Sequence, residues 1–233
     1  FCFLKKIMDD QQVLLARHFE QYLTEKRKSV IQRVLSQRTR HIVLVLENIL
    51  QPHNMSAVVR TCECYGVQNL HIIDDQNHFE VNKRILKGSN KWIDIVRYKE
   101  KNINNTAPCL HDLKHAGYQI LVTHPDVEGI SIEEVDVTQK IALVMGNESK
   151  GVSNEALQLA DQKVYIPMVG FTESMNISVS AAICLHTLLP KLRRSQALWQ
   201  LSEYEQDFLR LQWMKKSIRR SDLIEQEFLK SII

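Results

Sequence analysis

The sequence predicts an α/β fold: a mostly parallel sheet with helices on both faces, and helical extensions at either end. Three observations predict it. Continuous apolar runs rich in branched residues recur at 41–46, 118–123 and 141–145, the signature of strands buried on both faces. Helical patterns alternate with these runs, as crossover helices do between parallel strands. A chain of 233 residues suits one α/β domain with small additions, long enough to bury a full core.

Residues 10–35 read as one helix, with Val13, Leu14, Phe19, Leu23, Val30, Ile31, Val34 and Leu35 as its apolar positions. The period changes at strand 41–46. Pro52 then breaks the chain, Asn54 or Ser56 can cap a helix, and Gly66 is suited to end it. A short strand at 70–73 follows, then a basic stretch at 83–91 that is helical until Gly88, and a strand at 92–96. A helix over 107–116 ends at Gly117, and strand 118–123 comes next. Strand 141–145 leads into a turn bounded by Gly146 and Gly151, with a helix over 153–160 behind it. The apolar run 164–168 stops at a loop holding Gly170. A helix begins near Asn176, placing Ile177, Ala181, Leu185 and Leu188 on one buried face. Pro190 and the basic Lys191, Arg193 and Arg194 end the core. The tail from Ser195 is helical and amphipathic, with Trp199, Leu201, Phe208, Leu211 and Trp213. The expected division is a basic helical extension at 1–38, a core domain at 39–190 and a helical extension at 191–233.

Five cysteines (Cys2, Cys62, Cys64, Cys109 and Cys184) form no disulfide framework. Cys62 and Cys64 lack the second pair that a metal site needs. Neither His53 nor His124 has metal-ligand spacing, so no metal is expected. A reducing cytoplasm fits this usage. No run is apolar enough to span a bilayer, and residues 1–7 are too short and wrongly flanked for a signal peptide. The net charge of +3 is unevenly laid out. Residues 1–40 carry +5 and residues 191–233 carry +3, around a middle of −5. Basic ends of this kind suit contact with a polyanion.

Three loops follow apolar strands: one holding Asn54 and Arg60, the turn 146–151, and the segment 167–176. In an open parallel sheet such loops converge on one crevice. Neither a Gly-x-Gly-x-x-Gly cradle nor a Walker loop is present, which argues against a nucleotide-dependent oxidoreductase. Ser174 has no Asp/His pattern around it, so a serine nucleophile is not expected.

Three ordered motifs, Asn54-x-Ser-Ala-x-x-Arg60-Thr, Leu143-Val-Met-Gly-Asn-Glu148-x-x-Gly151 and Ile166-Pro-Met-x-Gly-x-x-x-Ser174-Met-Asn176-x-Ser-Val, together resemble those of the SpoU/TrmH family of SPOUT RNA methyltransferases. The resemblance runs from about Arg38 to Leu189. It is greatest to members that methylate the ribose 2′-hydroxyl of guanosine-18 in the tRNA D-loop. It implies a sheet whose C-terminal segment threads a deep trefoil knot, S-adenosyl-L-methionine as cofactor, tRNA as partner, and a homodimer with each active site near the subunit boundary. By similarity, Arg60, Asn54, Glu148, Ser174 and Asn176 are the catalytic set. Thr123, Met145, Gly146, Ile166, Met168 and Met175 would line the donor pocket. The basic ends would grip tRNA through Lys26, Arg27, Lys28, Arg33, Arg38, Arg193 and Arg194, with Lys215, Lys216, Arg219 and Arg220 as further candidates. Two other readings stay open on the sequence: 2′-O-methylation of another tRNA or rRNA nucleotide, and a non-catalytic RNA-binding or assembly factor that keeps the fold.

Overall fold

The structure, a computed structural model, describes residues 10–75, 83–125 and 129–232. Residues 1–9 of the expected N-terminal extension lie outside them. The described residues form two compact units, one within 39–199 and the other from 10–38 with 200–232.

The chain opens with α1 (Asp10–Glu20) and α2 (Glu25–Leu35), two helices where the apolar pattern predicts one. Thr24 makes the break. Its extended backbone sits at the start of α2, and its hydroxyl accepts the Arg27 N–H at 3.2 Å, so a new helix begins there.

The larger unit holds β1 (Ile42–Glu47), α3 (Pro52–Tyr65), β2 (Asn69–Ile73), α4 (Lys83–Leu86), a 3₁₀ turn (Ser89–Lys91), β3 (Asp94–Tyr98), α5 (Thr106–His115), β4 (Tyr118–Thr123), β5 (Ile130–Ser131), β6 (Lys140–Met145), α6 (Asn154–Leu159), β7 (Gln162–Tyr165) and α7 (Ile177–Arg194). The strands form one sheet in the order β3-β2-β1-β6-β4-β7-β5, and the pairs β1–β2, β1–β6, β2–β3, β4–β6, β4–β7 and β5–β7 are all parallel.

Strand alternation divides the core. Ile42, Leu44 and Leu46 of β1 point with Leu143 and Met145 of β6 into the layer built by Val58, Val59 and Cys62 of α3 and Ala181, Cys184 and Leu185 of α7. Val43, Val45, Ala142 and Val144 point the other way, against Cys109, Leu110 and Leu113 of α5 and Ala156 of α6. All six residues of β1 are buried, as its unbroken apolar run predicts.

Several boundaries differ from expectation. β3 starts two residues late, and β7 ends at Tyr165, where pairing with β5 stops. β5 is only two residues long, too short to leave a period. Gly129 precedes it because a Cβ there would lie 2.5 Å from the Lys163 carbonyl oxygen. Pro190 does not end α7, which continues to Arg194. Leu188, Leu189 and Leu192 are at most 1% exposed, and burying them outweighs the single hydrogen bond that a proline removes.

The chain closes with α8 (Glu203–Ser217), started by a Ser202–Glu205 capping box, and α9 (Ser221–Ser231). Among the described residues no helix is long and apolar enough to cross a membrane.

Candidate active site

The strand order places the carboxyl ends of β1, β6, β4 and β7 side by side, and the loops leaving them enclose a cavity of about 580 Å³. Thr123 and His124 enter from β4, Met145 and Gly146 from β6, and Tyr165 and Ile166 from β7. The far wall is the segment between β7 and α7, with Met168, Ser174, Met175 and Asn176. Residues 166–176 form neither helix nor strand, so their backbone amides and carbonyls are not committed to a ladder.

Glycine is required in the turn after β6. The turn folds back through a reciprocal pair, Asn147 N–H to Gly151 O and Gly151 N–H to Asn147 O, both 2.9 Å. A Cβ on Gly146 would lie 2.1 Å from the Gly151 carbonyl carbon, and Gly151 itself has φ +70°, a region that suits glycine. The Asn147 side chain braces the turn, accepting the Ser149 and Lys150 amides at 2.8 and 2.9 Å and donating to the Asn48 carbonyl at 3.2 Å.

One line of hydrogen bonds joins all three loops. The Asn54 amide donates to Glu148 Oε1 at 2.8 Å, and the Asn176 amide donates to Asn54 Oδ1 at 3.0 Å. Glu148 Oε2 also accepts the Leu50 N–H at 3.0 Å. Asn54 therefore does not cap its own helix. Gln51 holds the N-cap position and Pro52 the first turn, where the missing N–H is no loss. The expected cap forms at Asn176, and Ser153, which the sequence pattern places inside its helix, caps the other loop's helix instead. Asn176 accepts the Ser178 N–H at 2.9 Å, and Ser153 accepts the Ala156 N–H at 3.1 Å. Burial pushes the Glu148 carboxyl up, but the bonds from Asn54 and Leu50 outweigh it and hold the group below its ordinary value, so it is ionised at neutral pH.

Beneath the turn lies a residue that sequence reasoning missed. Glu47, 2% exposed at the end of β1, accepts the Ser153 N–H at 2.8 Å, the Ser153 hydroxyl at 2.6 Å and the Thr106 hydroxyl at 2.6 Å. It ties β1 to the starts of α5 and α6. Its partners lie 59 and 106 positions away, beyond any local pattern.

All ten sequence-predicted residues Asn54, Glu148, Ser174, Asn176, Thr123, Met145, Gly146, Ile166, Met168 and Met175 line this cavity. Arg60 does not. It is exposed on α3, six residues beyond Asn54 and about 9 Å further along the helix axis, and makes no hydrogen bond or ion pair with another described residue. Of the basic candidates, Lys26, Arg27, Arg33 and Arg194 are exposed, while Lys28 pairs with Glu25 at 2.8 Å. Arg38 corrects the expectation of a phosphate contact: it is wholly buried, its guanidinium 5.2 Å from the Trp213 ring centroid. Arg193 is exposed and donates to the Tyr65 carbonyl at 3.0 Å, its guanidinium 5.9 Å from the Trp199 ring centroid, and Lys215 is paired with Glu225.

The profile of the SpoU rRNA Methylase family matches residues 41–186, the stretch that builds the sheet and all three loops. The chain belongs to the SpoU methylase family. A tRNA (guanosine(18)-2′-O)-methyltransferase of Borreliella burgdorferi is 36% identical over 218 residues, 94% of this chain and 98% of that one. The Aquifex aeolicus enzyme of the same name is 36% identical over 72% of this chain and 77% of its own length. Among solved structures, the A. aeolicus TrmH/SpoU tRNA modifying enzyme superposes with a TM-score of 0.73 at 32% identity, covering 84% of this chain and 98% of that one. The SpoU methyltransferase AviRb of Streptomyces viridochromogenes, solved in complex with AdoMet, shares the fold at a TM-score of 0.58 and 22% identity, over 69% of this chain and 64% of its own.

Proposed function

We propose that this chain transfers a methyl group from S-adenosyl-L-methionine to the ribose 2′-hydroxyl of guanosine-18 in the D-loop of tRNA. The observation that carries the chemistry is the bonded line Glu148–Asn54–Asn176 along a strand-end cavity. The near full-length similarity to enzymes of that name supports the choice of nucleotide.

The cavity fits the donor. Its volume lies within the roughly 300–1,000 Å³ usual for small-molecule sites. Met145, Ile166, Met168 and Met175 offer apolar walls for a flat purine. The backbone of 166–176 offers donors and acceptors to the purine edge. The donor carries no phosphate, which agrees with the absence of a glycine-rich cradle. When bound, S-adenosyl-L-methionine supplies an electrophilic methyl group on a sulfonium. The ionised Glu148 puts a negative charge in the wall, which favours a cationic ligand over its neutral product.

Arg60 answers the other half of the reaction. A ribose hydroxyl loses its proton as it attacks, and a guanidinium held against the oxygen stabilises the charge that develops. A guanidinium does not readily give up a proton, so Arg60 acts as this electrostatic partner, not as the base. Because it stands outside its own chain's cavity, a homodimer is the arrangement that brings it to one, from the second copy. Val169 and Phe171, fully exposed beside the cavity loop, support a covered surface there. Exposed Lys26, Arg27, Arg33 and Arg194 serve as phosphate contacts. The insertion of β7 between β4 and β5, followed by the return of α7 against α3, supports the threaded trefoil knot. Unbridged thiols at Cys64, Cys109 and Cys184 support action in the cytoplasm.

The test is methyl transfer from labelled donor to an unmodified tRNA transcript and to one with adenosine at position 18. Label on the first alone upholds the proposal. Equal label on both refutes the assignment to guanosine-18.

A further inference from the structure

The larger unit is electrostatically lopsided. Residues 83–101 carry seven Lys or Arg and two Asp or Glu, whereas the rest of 39–199 carries nine and fifteen. The fold gathers the basic stretch at one end of the sheet, on α4, the 3₁₀ turn and the edge strand β3. Arg84, Lys87, Lys91, Arg97, Lys99 and Lys101 are all exposed there. Of the two acids, Asp94 is bound to Arg40 at 2.9 Å. The opposite edge, at β5 and the turn after it, carries Glu133, Glu134 and Asp136 against one base, Lys191, which donates to the Glu133 and Val135 carbonyls at 2.9 and 2.7 Å. A polyanion approaching this unit is drawn to one edge and repelled from the other.

Position adds to charge. α4 and the 3₁₀ turn pack against α3, with Leu86 and Ile93 in one apolar cluster with Val59 and Cys62. The basic edge is thus fixed to the helix that bears Arg60. We propose that this edge is a contact surface for the phosphodiester backbone of the RNA substrate, additional to the helical extensions; it rests on the functional reading above. An RNA strand lying along it runs beside the helix that presents the guanidinium to the target ribose. Basic side chains on an edge strand also deter edge-to-edge pairing, and the two roles make different predictions about salt.

The experiment compares tRNA binding as a function of salt for the wild-type chain, for K87Q/K99Q and for K114Q/K140Q, which removes the same charge from the rest of the unit. Each phosphate contact contributes about 0.7–0.9 to the slope of log affinity against log salt concentration. K87Q/K99Q should flatten the slope by about 1.5 and weaken tRNA binding while leaving donor affinity unchanged. K114Q/K140Q should leave the slope as it is. An unchanged slope in K87Q/K99Q, or an equal change in both variants, overturns the proposal and leaves edge protection or net charge as the explanation. A wild-type chain that binds no tRNA overturns the functional reading itself, and this surface with it.

Discussion

The carboxamides of Asn54 and Asn176, 122 positions apart in the chain, meet at 3.0 Å, and the same Asn54 side chain holds Glu148 at 2.8 Å on its other side. One amide with one donor face and one acceptor face closes three loops around a cavity. Asn54 is 3% exposed, whereas Glu148 and Asn176 both face solvent, so water can take up their polar groups when the Asn54 side chain is changed.

Asn54→Ala should therefore leave Glu148 and Asn176 without their partner. We expect a stability loss of about 0.5–1.5 kcal/mol and a fall in kcat/KM of about 100-fold as the loops shift. Asn54→Asp should be worse, because it sets a second carboxylate against Glu148. Chemical unfolding and steady-state methylation measure both effects, and a fully active Asn54→Asp contradicts the role.

Gly146→Ala drives a Cβ into the Gly151–Val152 backbone. Opening the turn should cost about 1–3 kcal/mol, felt as at least a roughly tenfold loss of donor affinity by calorimetry. Unchanged donor binding would mean that the turn does not shape the donor pocket.

Glu47 separates charge from bonding. Glu47→Gln retains an acceptor for the Ser153 N–H, and its amide can donate to the two hydroxyls, so stability should fall by no more than about 1 kcal/mol. Glu47→Ala strips one buried and two half-buried donors of their acceptor and should cost about 1–3 kcal/mol. Thermal unfolding of the two variants decides it, since equal losses would deny Glu47 its bonding role.

Acid should destabilise the core through His71. Burial pushes this imidazole down to about 4, against a weaker opposing pull from Asp112. Its Nδ1 has no partner. A depressed histidine is protonated more readily when unfolded, so its contribution is complete above the ordinary value of about 6.5 and is lost as pH falls toward 4. The full loss is about 3 kcal/mol. His71→Phe keeps the stack on Tyr98 without the titration, and its urea midpoint should vary less between pH 7 and pH 5 than the wild type's. His41, also lowered by burial, adds a slope of the same sign to both.

Much of the fold was legible because burial on both faces leaves a continuous apolar run, as in β1, β4 and β6. The three loops were legible because Gly146, Gly151 and Asn176 are residues that a tight turn and a helix start demand. What was hidden depends on partners distant in sequence. Asn54 has the chemistry of a cap, and only the approach of Glu148 and Asn176 shows that its amide is used elsewhere. Arg38 reads as one more surface base until Trp213 covers it. Glu47 reads as the polar end of a strand until Thr106 and Ser153 arrive. The break at Thr24 was missed because residues 21–24 contain neither glycine nor proline.

Arg60 stands apart, since its side chain is exposed and outside the cavity of its own chain. Arg60→Ala should leave stability within about 0.5 kcal/mol and donor affinity unchanged, while kcat falls by about 10²–10³-fold. Full methylation by this variant would remove Arg60 from the chemistry.

The most direct measurement of the central claim is labelled methyl transfer to two tRNAs that differ in one atom, the 2′-oxygen of guanosine-18. The account predicts stoichiometric label on the ribose form and none on the 2′-deoxy form. Equal label on the two would contradict it.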